Sequence, residues 1–397
     1  MSNTLRESFF QHVAQTSDSP IGIEVQHAEG CTITSTENKT YLDLISGISV
    51  SNLGHNHPKI QEAVIEQVKH HSFVMVYGEY LQTPQTMLAE RLTQNLPDTL
   101  DNIYFVNSGS EAVEGAMKLV KRFTGRKKII ACRNAYHGGT HGALSLMDHE
   151  EHTVPFHPLL PEIEFIEFGN ADDLVKIGKE TAGVFIEPVQ GEAGIRVAEI
   201  EYFRQLKKVC HENDALLVFD EIQTGMGRTG SLFYFEQIGV VPDVLLTAKA
   251  FGGGYPLGAF ISSKEIMSSL SHDPPLGHIT TFGGHPVCCA AGLVALDILQ
   301  SEDWMKQVPE KEARFNSNLQ HYAVQEIRSA GLMMALEFES ADFNDKVIDF
   351  CIANGVITDW FLYADNCMRI APPITISKQQ IDEACEVIMK GIESANS

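Results

Sequence analysis

Lys249 is the residue of this chain whose type and position most clearly suggest chemistry. It follows the apolar run 244–247 and precedes the glycine triplet 252–254. The apolar run predicts a strand, and the glycines allow the backbone to turn with positive φ and to approach a bound group closely. Burial disfavours the charged form of a lysine, which frees its amine to attack a carbonyl. Lys249 is therefore a candidate for covalent attachment of a carbonyl compound, although most strand-end lysines simply point into solvent.

A carboxylate with a matching position lies earlier in the chain. The apolar run 215–219 predicts a buried strand, and it ends in Asp220. Carboxylates at strand ends are ordinary caps in α/β proteins. A lysine and an aspartate at the ends of neighbouring strands are, however, the two groups that pyridoxal phosphate requires, one for covalent linkage and one to keep the pyridine nitrogen protonated.

A third stretch could bind the phosphate of such a cofactor. The apolar run 102–106 is followed by Asn107 and then by Ser108-Gly109-Ser110. Free N–H groups and the positive end of the helix dipole favour an anion where a helix begins. The pattern from Ser108 to Glu111 is also a common capping box without any ligand, so alone it is weak evidence. The helix is predicted from apolar residues at helical spacing: Ala112, Ala116, Leu119, Val120 and Phe123.

Taken together, these three stretches resemble the class III aminotransferases, which are fold type I enzymes that use pyridoxal phosphate. The resemblance extends over nearly the whole chain. It begins with Tyr41-Leu42-Asp43 and the run 53–58, and it ends with the run 368–373. Several independent motifs occur in the family's order, which makes the resemblance specific.

The resemblance implies a role for each residue of a cofactor site. Lys249 would carry the cofactor and Asp220 would pair with the pyridine nitrogen, so both would be catalytic. The other implied cofactor-binding residues are Ser108, Gly109 and Ser110 at the phosphate, Tyr136 and Ile222 on the two faces of the ring, Gln223 near the ring hydroxyl, His137 and Glu187 beside the cofactor, and Thr281 at the phosphate bound in the partner subunit.

The same resemblance implies a transaminase that moves an amino group from an amine donor to a 2-oxo acid. The donor would be the terminal amine of an omega-amino acid such as ornithine, acetylornithine, lysine or 4-aminobutyrate. Arg369 would bind the carboxylate of the oxo acid, and Glu192 would pair with Arg369 when a neutral or cationic donor end must pass. Because Thr281 would serve the neighbouring site, the enzyme would be a homodimer.

One position departs from the family pattern. Many relatives carry an arginine directly after Tyr/Phe-His-Gly, where it binds a substrate carboxylate, whereas this chain has Gly139. We expect dicarboxylic acceptors to bind less well here than in those relatives. The alternative is that a nearby arginine such as Arg133 substitutes.

The scaffold leaves other reactions open. By resemblance it also supports an aminomutase or a decarboxylase, so the fold alone does not determine the reaction. A non-catalytic binding protein descended from such an enzyme is a third possibility. The presence of both Lys249 and Asp220 disfavours it.

Composition limits the partners and the compartment. The net charge of −23 would repel nucleic acid and anionic lipid, so we expect neither as a partner. Eight scattered cysteines without a C-x-x-C pair predict reduced thiols and no zinc site. The first twenty residues contain no apolar signal region, and no apolar run reaches the roughly 18 residues of a membrane span. We therefore expect a cytoplasmic protein.

The alternation of strand and helix patterns predicts an α/β fold. Strands are predicted at 103–106, 129–132, 183–186, 216–219 and 244–247, and helices include 202–213 and a final helix that opens with a capping box from Ser377 to Gln380. The expected architecture is a large domain with a mostly parallel sheet flanked by helices, plus a smaller α+β domain. A chain of 397 residues predicts more than one domain. The boundaries expected are an N-terminal segment 1–55 that packs with the small domain, a cofactor-binding domain 56–290 and a small domain 291–397.

Two motifs are interpreted as having no ligand of their own. The run 225–230 matches the dinucleotide fingerprint G-x-G-x-x-G, but an aromatic segment follows where a helix should begin, so we interpret it as a glycine-rich loop. His137 and His141 have the spacing of a helical metal pair, but Gly138 and Gly139 between them argue against a helix. No metal site is expected.

Overall fold

Strands and helices alternate through the middle of the chain. The computed structural model describes residues 4–396. The strands are β1 (Val25–Glu29), β2 (Thr32–Ser35), β3 (Thr40–Asp43), β4 (Asn102–Val106), β5 (Lys128–Cys132), β6 (Ile163–Ile166), β7 (Thr181–Ile186), β8 (Val189–Gln190), β9 (Arg196–Val197), β10 (Leu216–Asp220), β11 (Val244–Thr247), β12 (Gly258–Ser262), β13 (Glu326–Ser329), β14 (Met334–Glu337), β15 (Val356–Ile357), β16 (Asp359–Phe361) and β17 (Ala364–Ile370).

The helices vary from single turns to five turns. They are α1 (Leu5–His12), α2 (Ser46–Ser49), α3 (Pro58–His70), α4 (Thr83–Thr93), α5 (Gly109–Thr124), α6 (His141–Leu144), α7 (Glu150–Thr153), α8 (Ile200–Glu212), α9 (Phe235–Ile238), α10 (Lys264–Ser268), α11 (Pro286–Ser301), α12 (Trp304–Asn318), α13 (Ala341–Ala353) and α14 (Lys378–Ala395). Short 3-10 turns cover Val154–Phe156, Ala171–Lys176 and Lys249–Gly252. Within residues 4–396, none of the helices is long and apolar enough to cross a membrane.

The central sheet has seven strands in the order β4-β12-β11-β10-β7-β5-β6. Four neighbouring pairs, from β11 through β10, β7 and β5 to β6, are parallel. The five strands predicted from the sequence are all present, and the mostly parallel α/β architecture is confirmed. The sequence analysis missed β6 and β12. Because β12 runs antiparallel to both β4 and β11, the sheet is not parallel throughout.

Helices cover both faces of this sheet. Alternate side chains of β10 point to opposite faces: Leu216 and Val218 pack with residues of α5, whereas Leu217 and Phe219 pack with residues of α8. A strand buried on both faces must be apolar throughout, which explains the continuous run in the sequence. In α5 the predicted apolar stripe is buried except for Phe123, which is 40% exposed in the last turn of the helix.

Within residues 4–396, two four-stranded sheets and the two-stranded sheet β8-β9 lie outside the central one. Strands β13-β14-β17-β16 form an antiparallel sheet, against which α13 packs. Strands β1-β2-β3 are joined by β15, which pairs with β3 from the other end of the chain. The predicted capping box of α14 is present, with Ser377 and Gln380 each bonded to the other's backbone. The domain boundaries stay a prediction, and α11 runs across the one placed between residues 290 and 291.

Candidate active site

The carboxyl ends of five central strands bring most of the predicted site residues together. A cavity of about 190 Å³ lies there. Ten of the eleven predicted cofactor-binding residues line it, along with Gly138: Ser108, Gly109, Ser110, Tyr136, His137, Glu187, Asp220, Ile222, Gln223 and Lys249. The exception is Thr281, which is exposed and lies outside this cavity.

One wall of the cavity is the beginning of α5. Ser108 is the N-cap, and its hydroxyl accepts a hydrogen bond from the backbone N–H of Glu111 at 3.2 Å. The other N–H groups of this first turn have no partner within the helix and point where an anion binds favourably. Gly109 is required by close packing, since a Cβ atom there would lie 2.8 Å from Cδ1 of Ile222. The helix start is therefore shaped to let a ligand and Ile222 approach its backbone.

Asp220 lies opposite, at the end of β10, with its carboxylate buried. Its Oδ2 is 2.7 Å from Nδ1 of His137, and its Oδ1 accepts the backbone N–H of Ile222 at 3.1 Å. Burial lowers the pKa of His137, but the hydrogen bond and the charge of Asp220 outweigh burial and raise that pKa above its ordinary value. A carboxylate has about four lone-pair sites, so Asp220 retains capacity for a further N–H donor.

Lys249 lies at the end of β11, in the first residue of a 3-10 turn. Its φ is +50°, which is uncommon for a residue with a Cβ atom and indicates a backbone held in place by its surroundings. Burial lowers the pKa of its amine. The neutral amine is the form of lysine that attacks a carbonyl, and burial favours this form.

Glu187 follows β7 and holds the backbone beside the cavity. Its two carboxyl oxygens accept N–H groups from Tyr136 at 3.0 Å and from Gly191 at 3.1 Å. Burial raises its pKa to about 7, against the lowering effect of His137. Burial therefore favours the protonated form of the Glu187 carboxyl in the cavity.

These groups fit pyridoxal phosphate. The cavity has N–H donors for a phosphate at the start of α5, a buried carboxylate with free lone pairs for a pyridinium nitrogen, and a lysine of lowered pKa. Gly138 and Ser110 are in close contact, because a Cβ atom on Gly138 would lie 2.1 Å from the Ser110 hydroxyl oxygen. The contact between Gly138 and Ser110 thus closes the cavity next to the N–H groups at the start of α5.

A second cavity, of about 560 Å³, adjoins the first. Tyr136 and Lys249 line both, so Lys249 lies where the two meet. The second cavity is further lined by Thr16, Gly47, Ile48, Glu192, Asp359, Trp360, Leu362 and Arg369. We call it the substrate cavity.

Glu192 and Arg369 form the ion pair that the sequence analysis expected. Oε1 and Oε2 of Glu192 each lie 3.0 Å from a different terminal nitrogen of Arg369. Burial raises the pKa of Glu192, but the charge and hydrogen bonds of Arg369, together with the N–H of Leu362 and the charge of Lys249, outweigh burial and lower that pKa. Asp359 adds a second carboxylate, 2.8 Å from Nε of the same arginine.

Asp359 and one wall of the substrate cavity were not predicted from the sequence. That wall is α2, in which Ser46, Gly47, Ile48 and Ser49 all have positive φ, between 47° and 64°. The fully buried Arg228 donates to the Ser46 hydroxyl at 3.0 Å and to Asn52. Gly47 is the sole local signal for this left-handed turn, and it is too weak to predict it. Asp359 could have been predicted only from its position opposite Arg369 in the neighbouring strand, and the sequence does not reveal that strand register.

The surroundings of Gly139 and Arg133 show whether another arginine takes the place of the carboxylate-binding arginine that relatives carry at position 139. A Cβ atom added at Gly139 would meet no heavy atom within 4 Å. Arg133 pairs with Asp148 at 3.1 Å and with Glu167 at 2.9 Å, and it lines neither cavity. Within residues 4–396, Arg133 therefore does not replace the arginine absent at position 139.

Comparison with known proteins identifies the family. The profile of the aminotransferase class-III family matches residues 13–392. The chain belongs to the class III aminotransferases. It is 37% identical over 360 residues to the acetylornithine aminotransferase of Methanopyrus kandleri, with 90% of each chain covered. It is 34% identical over 377 residues to the [LysW]-aminoadipate semialdehyde/glutamate semialdehyde transaminase of Sulfolobus acidocaldarius, covering 94% of this chain and 95% of that one.

A solved structure similar to this chain contains the cofactor. The ornithine aminotransferase of Toxoplasma gondii, crystallised with oxidised glutathione, superposes with a TM-score of 0.91 at 26% identity, covering 98% of this chain and 93% of that chain. Pyridoxal phosphate partly occupies its active site. The class III aminotransferase described here is a pyridoxal-phosphate enzyme with a fold type I architecture, as its sequence predicted.

The glycine-rich run 225–230 and the histidine pair His137 and His141 are the two motifs interpreted as having no ligand of their own. The run 225–230 forms turns instead of a helix start, and its Arg228 is buried. Within residues 4–396, no group of three or more His, Cys, Asp or Glu side chains is arranged to hold a metal ion. His137 does lie in the cofactor cavity, but as a partner of Asp220.

Proposed function

We propose that this aminotransferase transfers the terminal amino group of an omega-amino acid, such as ornithine, acetylornithine, lysine or 4-aminobutyrate, to a 2-oxo acid. The observation that carries the proposal is the position of Lys249 between the cofactor cavity and a substrate cavity that contains the Glu192–Arg369 pair. The relatives act, by name, on acetylornithine and on a semialdehyde, which supports an amine at a chain end as the reacting group.

Lys249 and Asp220 are proposed as the catalytic residues. When bound, pyridoxal phosphate supplies an electron sink for the pair of electrons left when the donor C–H bond breaks. Nζ of Lys249 would take the proton from the donor carbon as a general base and would then deliver it to carbon C4′ of the cofactor as a general acid. The Asp220 carboxylate holds the proton on the ring nitrogen, and His137 and the backbone of Ile222 hold that carboxylate in place.

The other cofactor contacts are proposed from the same cavity. Ser108, Gly109 and Ser110 would bind the phosphate, and Tyr136 and Ile222 would hold the ring between them. Gln223 would bind the ring hydroxyl, and Glu187 supports Tyr136 by accepting its backbone N–H.

Glu192 and Arg369 are proposed to serve two kinds of substrate in turn. With Glu192 paired to it, Arg369 presents no free charge, so a neutral or cationic donor end can enter. When Glu192 moves aside, the guanidinium offers a two-pronged contact to the carboxylate of the oxo acid.

The enzyme is proposed to be a cytoplasmic homodimer with three structural parts, 1–55, 56–290 and 291–397. Thr281 is exposed and does not line the cofactor cavity of its own chain, which supports a role at the phosphate of the neighbouring subunit. All eight cysteines are free thiols, as a reducing compartment allows. Dilution to the monomer should release the cofactor, and a monomer that sediments as such while fully active would refute the shared site.

A panel of amine donors tests the proposed reaction. The holoenzyme is mixed with each omega-amino acid and a 2-oxo acid, and the new amino acid and the released aldehyde are both quantified. A transaminase forms them in equal amounts. The alternative functions on this fold give other products, since an aminomutase yields an isomer of the donor without any acceptor and a decarboxylase releases carbon dioxide. Either of those outcomes would overturn the proposal.

A further inference from the structure

The substrate cavity contains a short segment that holds both members of the Glu192–Arg369 pair. This segment, residues 359–363, comprises β16 and the two residues that connect it to β17, and we call it the clamp segment. Asp359 lies directly across from Arg369 in the strand register. The segment is therefore fixed to Arg369 by the ladder of the sheet as well as by side chains.

Arg369 is held on three sides by the clamp segment. Its Nε donates to Oδ1 of Asp359 at 2.8 Å, and one terminal nitrogen donates to the Trp360 carbonyl at 2.9 Å. The buried ring of Phe361 lies over the guanidinium at 4.4 Å. Together with the two bonds to Glu192, these contacts use four of the five N–H donors of the arginine.

Glu192 is held by the same segment. One oxygen of its carboxylate accepts the backbone N–H of Leu362 at 3.1 Å, and its backbone carbonyl accepts the N–H of Tyr363 at 3.0 Å. A substrate carboxylate can therefore bind both terminal nitrogens of Arg369 only if the Glu192 carboxylate leaves the arginine and the N–H of Leu362.

The charges of the substrate cavity do not balance at this end. Among the lining residues described, the carboxylates are Glu192 and Asp359 and the cations are Arg369 and Lys249. Lys249 is the residue assigned to the cofactor, so Arg369 alone faces two carboxylates. When Glu192 moves away to admit a substrate carboxylate, the negative charge of Asp359 still neutralises the guanidinium of Arg369. The guanidinium therefore attracts the incoming carboxylate less strongly.

We propose that Asp359 is a specificity-determining residue that biases the substrate cavity against a distal carboxylate and towards a neutral or cationic distal group. The proposal rests on the function proposed above, because it assigns the preference of the same cavity. It predicts that, among the proposed donors, those whose far end carries an ammonium beside the carboxylate, such as ornithine and lysine, bind better than 4-aminobutyrate, whose far end carries a carboxylate alone. For the same reason, Arg369 holds the carboxylate of an oxo acid less strongly than it would without Asp359.

Two unreactive acids of similar length test the proposal by binding alone. Glutarate has a carboxylate at its far end, and 4-(trimethylammonio)butyrate has a cation there that cannot react with the cofactor. Their dissociation constants are measured by titration calorimetry on the holoenzyme and on Asp359→Asn, which retains an oxygen acceptor for Nε of Arg369. We expect the ratio of the two constants to shift about tenfold in favour of glutarate, as loss of one charge at a few ångströms implies.

Two further variants separate charge from positioning. Asp365→Asn removes an exposed carboxylate from the adjacent strand β17 and should leave the ratio unchanged. Asp359→Ala also removes the acceptor for Arg369, so it should weaken glutarate binding relative to Asp359→Asn. An unchanged ratio in Asp359→Asn would overturn the proposal, as would an equal shift in Asp365→Asn or failure of the wild-type enzyme to bind either acid.

Turnover provides a second measurement. Asp359→Asn should lower KM for 2-oxoglutarate with little change in kcat, because Asp359 acts on binding of the acceptor and not on proton transfer. If the donor panel reveals no transaminase activity while the calorimetric ratio still shifts, the proposed function fails and the charge preference of the cavity stands. If the enzyme is an active transaminase but the ratio of dissociation constants does not shift, the proposed function stands and the proposed role of Asp359 fails.

Discussion

The pKa of Glu187 predicts how the stability of the cofactor-free protein depends on pH. Burial raises this pKa to about 7 from 4.5, so the folded protein binds a proton that the unfolded chain has released. The contribution of Glu187 is therefore largest at acidic pH and decreases as the pH rises from about 4.5 towards 7. Between pH 5 and pH 8 the shift corresponds to a loss of about 1–3 kcal/mol in the free energy of unfolding.

Replacement of Glu187 by Gln should abolish this part of the pH dependence. The amide cannot accept both N–H groups of Tyr136 and Gly191, so the variant also loses a hydrogen bond at every pH. That offset does not change with pH. The prediction concerns the slope: relative to wild type, Glu187→Gln should gain about 1–3 kcal/mol on going from pH 5 to pH 8.

Denaturant unfolding of both proteins at several pH values, with the cofactor removed, measures this difference. Glu221 is buried as well and has a pKa raised to about 7 by burial, but it is present in both proteins and its effect cancels. The control is Glu265→Gln, an exposed position that should behave as wild type. A parallel pH dependence of Glu187→Gln and wild type would refute the reasoning that burial keeps Glu187 protonated.

Three further predictions concern packing and substrate choice. Gly109→Ala should weaken cofactor binding about tenfold in equilibrium dialysis, because the added Cβ atom would lie 2.8 Å from Ile222 and must displace that side chain. The control Gly139→Ala should bind the cofactor normally, because a Cβ atom there meets no heavy atom within 4 Å. Gly139→Arg should improve kcat/KM for 2-oxoglutarate over pyruvate by about tenfold or more, and a strong wild-type preference for 2-oxoglutarate that the substitution leaves unimproved would contradict this. Arg228→Met should lower the free energy of unfolding by about 3 kcal/mol, since the Ser46 hydroxyl and several carbonyls lose a buried donor, and a wild-type denaturation midpoint would contradict it.

The sequence was most informative where function and fold depend on local patterns. The apolar runs before Asp220 and Lys249 predict strands because a strand buried on both faces must be apolar at every position. The position of the polar residues after such runs then predicts a shared site, since parallel strands end at the same edge of the sheet. The resemblance to a family added the identity of residues such as Tyr136 and Gln223, which no local pattern could assign.

The residues that the sequence analysis missed depend on contacts between distant parts of the chain. Asp359 becomes important because the register of β16 and β17 places it against Arg369, and register cannot be deduced from single strands. The left-handed turn of α2 is stabilised by Arg228, which lies more than 170 residues away in sequence. The strand β12 was missed for a local reason, because the glycine and alanine at its start obscure its apolar pattern.

The most direct test of the central claim is to find which lysine carries the cofactor. Reduction of the holoenzyme with borohydride fixes the linkage, and mass spectrometry of the peptides then locates it. We predict a single modified residue, Lys249, and we predict that Lys249→Ala retains the cofactor by its phosphate alone, with no reducible linkage and almost no turnover. Reduced cofactor attached to a different lysine, or normal turnover of Lys249→Ala, would contradict the account.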